Sequence, residues 1–110
     1  MESCLLCDIG KRSEPSEIIW EDAEYLCIEN KYPQAPIHVL VFPKEHIEKS
    51  EVRNGNRKDF FESMMGAVYE VVKFLGLDTK GYKLINNGAG YNHIEHEHWH
   101  ILSGLKEKQE

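Results

Sequence analysis

The segment His93-Ile94-Glu95-His96-Glu97-His98-Trp99-His100-Ile101-Leu102 sets the reading of this chain, because His96, His98 and His100 alternate with other residues. On an extended strand a period of two places all three imidazoles on one face. Three crowded imidazoles make a poor core and are costly if protonated together, so the pattern points to a site. Two uses are open: metal binding, or acid–base and nucleophilic chemistry. The histidines are interleaved and followed by ten further residues, which excludes a purification tag.

Working outward, a strand at Tyr82–Ile85 precedes the histidines, joined to them by the glycine-rich loop Asn86-Asn87-Gly88-Ala89-Gly90. The histidine strand itself is expected from about Ile94 to Leu102. Further upstream Phe61, Met64, Met65, Val68, Val71, Val72 and Leu75 recur at helical spacing, which predicts one long amphipathic helix. Asn56 or Asp59 is its expected N-cap and Gly76 its stop, with a turn at Asp78–Gly81 beyond. Ile18-Ile19-Trp20 and Tyr25-Leu26-Cys27-Ile28 read as a hairpin. The two prolines of Tyr32–Pro36 make a loop, and His38–Phe42 is a strand ended by Pro43. The order predicts an α+β fold, a mainly antiparallel sheet with one long helix packed on a face. Lys106–Glu110 reads as a polar tail.

A chain of 110 residues with 41% hydrophobic content suits a single domain, 1–110. The net charge of −6 disfavours nucleic acid or an anionic membrane as partner, so an anionic ligand must be met by local donors. No stretch approaches the ~20 apolar residues of a membrane span, and MESCLLCDIGKRSE lacks a signal-peptide core. A cytoplasmic location is therefore expected. Three cysteines, an odd number, argue against a disulfide framework. Cys27 lies in an apolar strand and reads as buried filler, whereas Cys4-Leu5-Leu6-Cys7 offers half of a zinc site or a metal-free dithiol.

Two motifs now combine. His96-Glu97-His98-Trp99-His100-Ile101-Leu102 and Pro33-Gln34-Ala35-Pro36-Ile37-His38-Val39-Leu40-Val41-Phe42-Pro43-Lys44-Glu45-His46 together resemble the histidine triad (HIT) family. The first matches its His-x-His-x-His signature with two apolar residues after it, the second its loop, strand and Pro-Lys-x-His segment. The resemblance implies a HIT-like fold and a nucleotide hydrolase or nucleotidyltransferase. It implies His98 as nucleophile, His96 and His100 as flanking partners, and His38 as the fourth histidine of the cluster. It also implies a loop carrying Asn87 and Gly88 near the phosphate, Asn30 on the ribose, and Asn92-His93 where the family commonly has Gln-Ser or Gln-Thr beside the leaving group. Apart from the resemblance, Asn30 and Asn87 are ordinary turn residues.

A zinc site closed by Cys4, Cys7, His46 and His96 follows from the resemblance, with His93 competing as the fourth ligand. Such a set has no open position and is structural. A purine nucleotide or nucleoside phosphate is the implied substrate, with Ile9, Ile28 and Leu40 near the base. A homodimer through the long helix and the adjoining strand is the implied assembly.

Chemistry supports the nucleophilic reading independently. A neutral imidazole is a good nucleophile near pH 7 and needs no catalytic metal to attack phosphorus. A cationic, labile nucleotidyl-histidine then lets water complete a cleavage of a phosphoramidate or phosphoanhydride in two easier steps. Two rivals stand beside it: a low-turnover nucleotide-binding or scaffold protein, and a metal-binding protein using His96, His98, His100 and His38.

Overall fold

The structure is a computed structural model that describes residues 4–104; the tail at Lys106–Glu110 lies outside the described residues. Its elements run α1 (Leu5–Gly10), β1 (Ile18–Glu21), β2 (Tyr25–Glu29), β3 (Ile37–Pro43), α2 (Lys49–Arg53), α3 (Lys58–Phe74), α4 (Leu77–Lys80), β4 (Lys83–Ile85) and β5 (Trp99–Ser103). The five strands form one antiparallel sheet in the order β1-β2-β3-β5-β4, the expected α+β arrangement.

Strand alternation divides the sheet's residues between two cores. Tyr25, Cys27, Val39, Val41 and Ile101 face α3 and pack on Met64, Ala67, Val68, Val71 and Val72. Leu26, Ile28, Leu40 and Phe42 face the other way, onto Leu6 and Ile9 of α1. His38, on the same alternation as Leu40 and Phe42, therefore belongs to the α1 side.

The apolar stripe of α3 begins one residue earlier than its spacing suggested. Phe60 packs on the core and stacks on Tyr25 at 6.4 Å, while Phe61 is exposed. Phe60 lies one helical turn before Met64, so it continues the buried row at i, i+4. The N-cap is Arg57, without a side-chain bond, rather than Asn56 or Asp59. Asp59 sits instead in the first turn, where its charge suits the helix dipole. Gly76, at φ +70°, takes the left-handed position that stops the helix. The turn at 78–81 is a short helix, and α1 and α2 are additional to the one long helix expected.

The histidine strand is shorter than expected. Its ladder with β3 reaches Trp99 opposite Val41 and stops there. Pro43, the last residue of β3, has no N–H to continue it. The preceding residues are held by a different segment: Glu97 N–H donates to the Ile47 carbonyl at 2.7 Å, and Lys49 N–H to the Glu95 carbonyl at 2.9 Å. His96 and His98 are thus extended but lie outside the main ladder, bridged at Glu48 opposite His96.

Met64 is 1% exposed beneath the sheet. Met64→Ala is expected to lower stability by about 2–5 kcal/mol, and Glu70→Ala, on the solvent side of the same helix, by no more than about 0.5 kcal/mol. Urea unfolding of the two variants measures the contrast.

Candidate active site and metal centre

His38 from β3 and His100 from β5 lie on adjacent strands, and their rings meet with His38 Nε2 2.9 Å from His100 Nδ1. The Gln34 backbone N–H donates to His38 Nδ1 at 3.0 Å. A neutral imidazole carries one N–H, so His38 holds its proton on Nε2 and directs it at His100 Nδ1. Asn30 Nδ2 lies 3.0 Å from His38 Nε2, a contact between two donors in this tautomer and not a hydrogen bond, and the Asn30 carbonyl oxygen accepts the Tyr32 N–H at 2.9 Å. Asn30 is therefore brought to the histidine cluster by the turn that links β2 to β3.

His98 is buried, and its ring centroid is 5.2 Å from that of His100. His98 Nδ1 lies 2.8 Å from the His96 backbone oxygen. A carbonyl only accepts, so Nδ1 carries the proton and Nε2 keeps a free lone pair. Burial holds His98 below its ordinary pKa, against the opposing pull of the His96 carbonyl. Burial likewise lowers His38, and it brings His100 to about 4 with help from His98, His38 and Lys49. All three rings are neutral near pH 7, the state a nucleophilic imidazole needs.

His96 is turned away from this cluster. Its ring is 1% exposed and uses both nitrogens elsewhere. Nε2 donates to the Pro43 carbonyl at 2.8 Å, and Nδ1 lies 3.2 Å from Cys4 Sγ and 3.5 Å from Cys7 Sγ. His46 Nδ1 is 3.3 Å from Cys7 Sγ. The ligand atoms of Cys4, Cys7, His46 and His96 all lie within 4.8 Å of one another, so these four residues could hold a metal ion. A zinc tetrahedron with bonds of about 2.0–2.3 Å has edges of about 3.3–3.8 Å, close to these separations. The Pro43 carbonyl on His96 and the Glu48 carboxylate, 3.4 Å from His46 Nε2, are the outer bonds that aim each Nδ1 lone pair inward. Without a cation, burial and the adjacent Cys4 push the Cys7 thiol up to about 11. An ion between the sulfurs reverses that preference.

The local fold explains how a four-residue motif supplies half of this set. Cys4 is the N-cap of α1 and its sulfur accepts the Cys7 N–H, so both sulfurs lie on one side of the first turn. His93 is exposed and lines an open cavity of about 820 Å³ above the cysteines, but it is not part of the four-ligand group. Among the described residues no metal-holding group includes His38, His98 and His100.

The loop before the histidines divides differently from expectation. Asn92 donates to the Ile94 carbonyl at 3.2 Å and to Glu95 at 3.1 Å, so its amide folds the loop on itself. Gly88 lines a cavity of about 320 Å³ with Lys49, Asn86, Glu97 and Trp99; Asn87 is half-buried nearby. Ile9, Ile28 and Leu40 are packed in the α1-side core.

Sequence reasoning passed over Lys49 and Asn86. Lys49 Nζ donates to Glu97 Oε1 at 2.8 Å, with the two side chains 3% and 5% exposed. Asn86 Nδ2 donates to the same oxygen at 2.9 Å and to the His98 carbonyl at 3.1 Å. The available signal was Glu97 itself: a carboxylate on the helix-facing side of the histidine segment demands a buried partner.

The chain matches the HIT domain family over residues 11–107. It is 35% identical over 104 residues to Protein HitA of Neisseria gonorrhoeae, covering 93% of this chain and 96% of that one. A HIT family hydrolase from Clostridium thermocellum superposes with a TM-score of 0.86 at 35% identity, over 100% of this chain and 97% of that one. A histidine triad nucleotide-binding protein from Candida albicans gives 0.78 at 26% identity, over 98% and 83%.

The depressed value of His100 has a consequence for stability. Its folded pKa, about 4, lies below the unfolded value near 6.5, so the unfolded chain binds more protons between them. This contribution is intact above about pH 6.5 and is lost as the pH falls toward 4. The urea midpoint is expected to fall across that window, and less steeply in His100→Gln. An unchanged slope in the variant would remove His100 as the cause.

Proposed function

The chain belongs to the HIT domain family, and on that premise we propose that it cleaves a nucleoside phosphate through a covalent nucleotidyl-histidine on His98. The observation that carries this reading is the 2.8 Å contact between His98 Nδ1 and the His96 carbonyl. It fixes the tautomer that leaves Nε2 free to attack, as nucleophilic catalysis requires. The relatives supply the substrate class: one is a HIT family hydrolase and another a histidine triad nucleotide-binding protein.

In the first step His98 Nε2 bonds to phosphorus, and the bond to the leaving amine or phosphate breaks with its electron pair. The leaving group takes a proton from solvent, while His100, its Nδ1 accepting the His38 N–H, holds its own Nε2–H toward the phosphate oxygens. His98 becomes a cation while its Nδ1–H stays on the His96 carbonyl. Water then attacks phosphorus and loses a proton to solvent, the P–N bond breaks with its electron pair returning to Nε2, and the nucleotide leaves neutral His98. A purine nucleotide, with Asn30 toward the ribose and the loop of Asn87 and Gly88 toward the phosphate, completes the reading. His96 acts through its carbonyl, its ring being engaged with the cysteines.

Zinc at Cys4, Cys7, His46 and His96 is structural in this reading. These four residues tie α1 to the segment after β3 and to the histidine segment, and the ion supplies cross-linking only. A homodimer through α3 and β4 fits Phe61, Tyr69 and Phe74, which expose apolar area along that helix; a cytoplasmic setting is part of the same reading. A low-turnover binding protein is the second reading, favoured by Asn92 folding onto its own loop rather than being free for a leaving group.

Purified protein is expected to turn over adenosine phosphoramidate or a dinucleoside polyphosphate and to show a nucleotidyl adduct by intact mass. His98→Ala should lose at least about 10³-fold in kcat and form no adduct. Nucleotide binding by both proteins with turnover by neither would leave the second reading in place. Metal analysis is expected to return one zinc per chain. Its removal by a chelator, or Cys7→Ser, should lower the Tm by more than about 5 °C; an unchanged Tm would exclude a structural ion.

A further inference from the structure

Because His98 lies outside the β5 ladder, its backbone N–H and carbonyl have no strand partner, yet buried backbone groups must be bonded. Both are met by one polar cluster on the face of the segment opposite the imidazole. Glu97 Oε1 accepts the His98 N–H at 3.0 Å. The His98 carbonyl accepts from Asn86 Nδ2 at 3.1 Å and from Lys49 Nζ at 3.4 Å. The same Glu97 oxygen takes Lys49 at 2.8 Å and Asn86 at 2.9 Å, and Lys49 also donates to Asn86 Oδ1 at 3.3 Å. Three side chains from α2, from the end of β4 and from the histidine segment therefore close on the two peptide groups of one residue.

We infer that Lys49, Glu97 and Asn86 are positioning residues that clamp the His98 backbone from behind and so aim its Nε2 at the bound phosphate. A buried ion pair gains little over a well-packed apolar pair of the same volume, so stability alone gives no reason for this one. Its distinctive feature is the bonds to His98. Nucleophilic attack tolerates little displacement: an error of about 1 Å can cost about 100-fold in rate. The clamp fixes the main chain, and the His96 carbonyl fixes the ring.

This inference rests on His98 as the attacking group. Two double variants separate geometry from charge. Lys49→Met/Glu97→Gln removes the ion pair and keeps an oxygen for the His98 N–H and Asn86; Lys49→Met/Glu97→Leu removes both. The first is expected to keep kcat within about threefold and the second to lose about 10- to 100-fold at unchanged KM. Wild-type kcat in the second, or an equal loss in both, overturns the clamp. Should the second not fold, Asn86→Ala, at an exposed position, carries the test: a lower kcat at constant KM supports the clamp and an unchanged kcat overturns it. Nitrogen-15 NMR of the His98 ring gives a readout independent of turnover. A single Nδ1–H tautomer in the wild type that becomes mixed on removing the clamp supports it, and a single tautomer kept in both overturns it. If the wild type forms no nucleotidyl adduct, the reading of function fails while the NMR comparison still decides the clamp.

Discussion

Pro43 has no N–H to give, and the site is arranged around that missing donor. β3 cannot carry its pairing with β5 beyond Val41 and Trp99, so the residues before Trp99 leave the ladder. The chain after Pro43 returns to hold them, through Ile47 and Lys49. The Pro43 carbonyl, free of a partner in β5, accepts His96 Nε2. That single bond turns His96 Nδ1 toward the two sulfurs and leaves the His96 backbone oxygen for His98. One imide bond thus separates two histidines that alternate in sequence, one ring facing the cysteines and the other facing His100.

The separation shows what was legible in the residues and what was not. The period of two put His96, His98 and His100 on one face, but a period says nothing about where a strand stops. His96 shares that face and is nevertheless withdrawn, because its partner strand ends. The helical stripe was readable from Met64 to Leu75 by its period, while its start was read one residue late. Phe60 and Phe61 are equally apolar, and only the position of Tyr25 distinguishes them. Cys4 and Cys7 announced half of the metal group by local spacing. His46 and His96 are far away in the chain, and only the resemblance to a family connected them.

Lys49 was illegible for a different reason. In sequence it stands among charged residues, Glu45, Glu48 and Glu51, where a lysine reads as solvated surface. Its burial depends on α2 starting where the chain returns along the histidine segment, a contact between residues 48 positions apart. Propensity and pattern operate over a few residues and carry no information about such a pairing. Glu97 gave the better clue, since a carboxylate in alternation with Trp99 and Ile101 has to find a cation or leave the core.

The charges of that pair also bear on the histidines. Lys49 depresses both His98 and His100, and Glu97 offsets it at His98. Glu97 precedes His98 directly; at His100 burial acts first and then His98, His38 and Lys49, bringing it to about 4. In the proposed mechanism a neutral His100, its Nδ1 accepting from His38, offers its remaining N–H to a phosphate oxygen. His98 needs a lone pair basic enough to bond phosphorus, and the carbonyl of His96 strengthens it by accepting the Nδ1–H. Two neighbouring imidazoles in one strand segment are thus given different chemistry by what lies behind them.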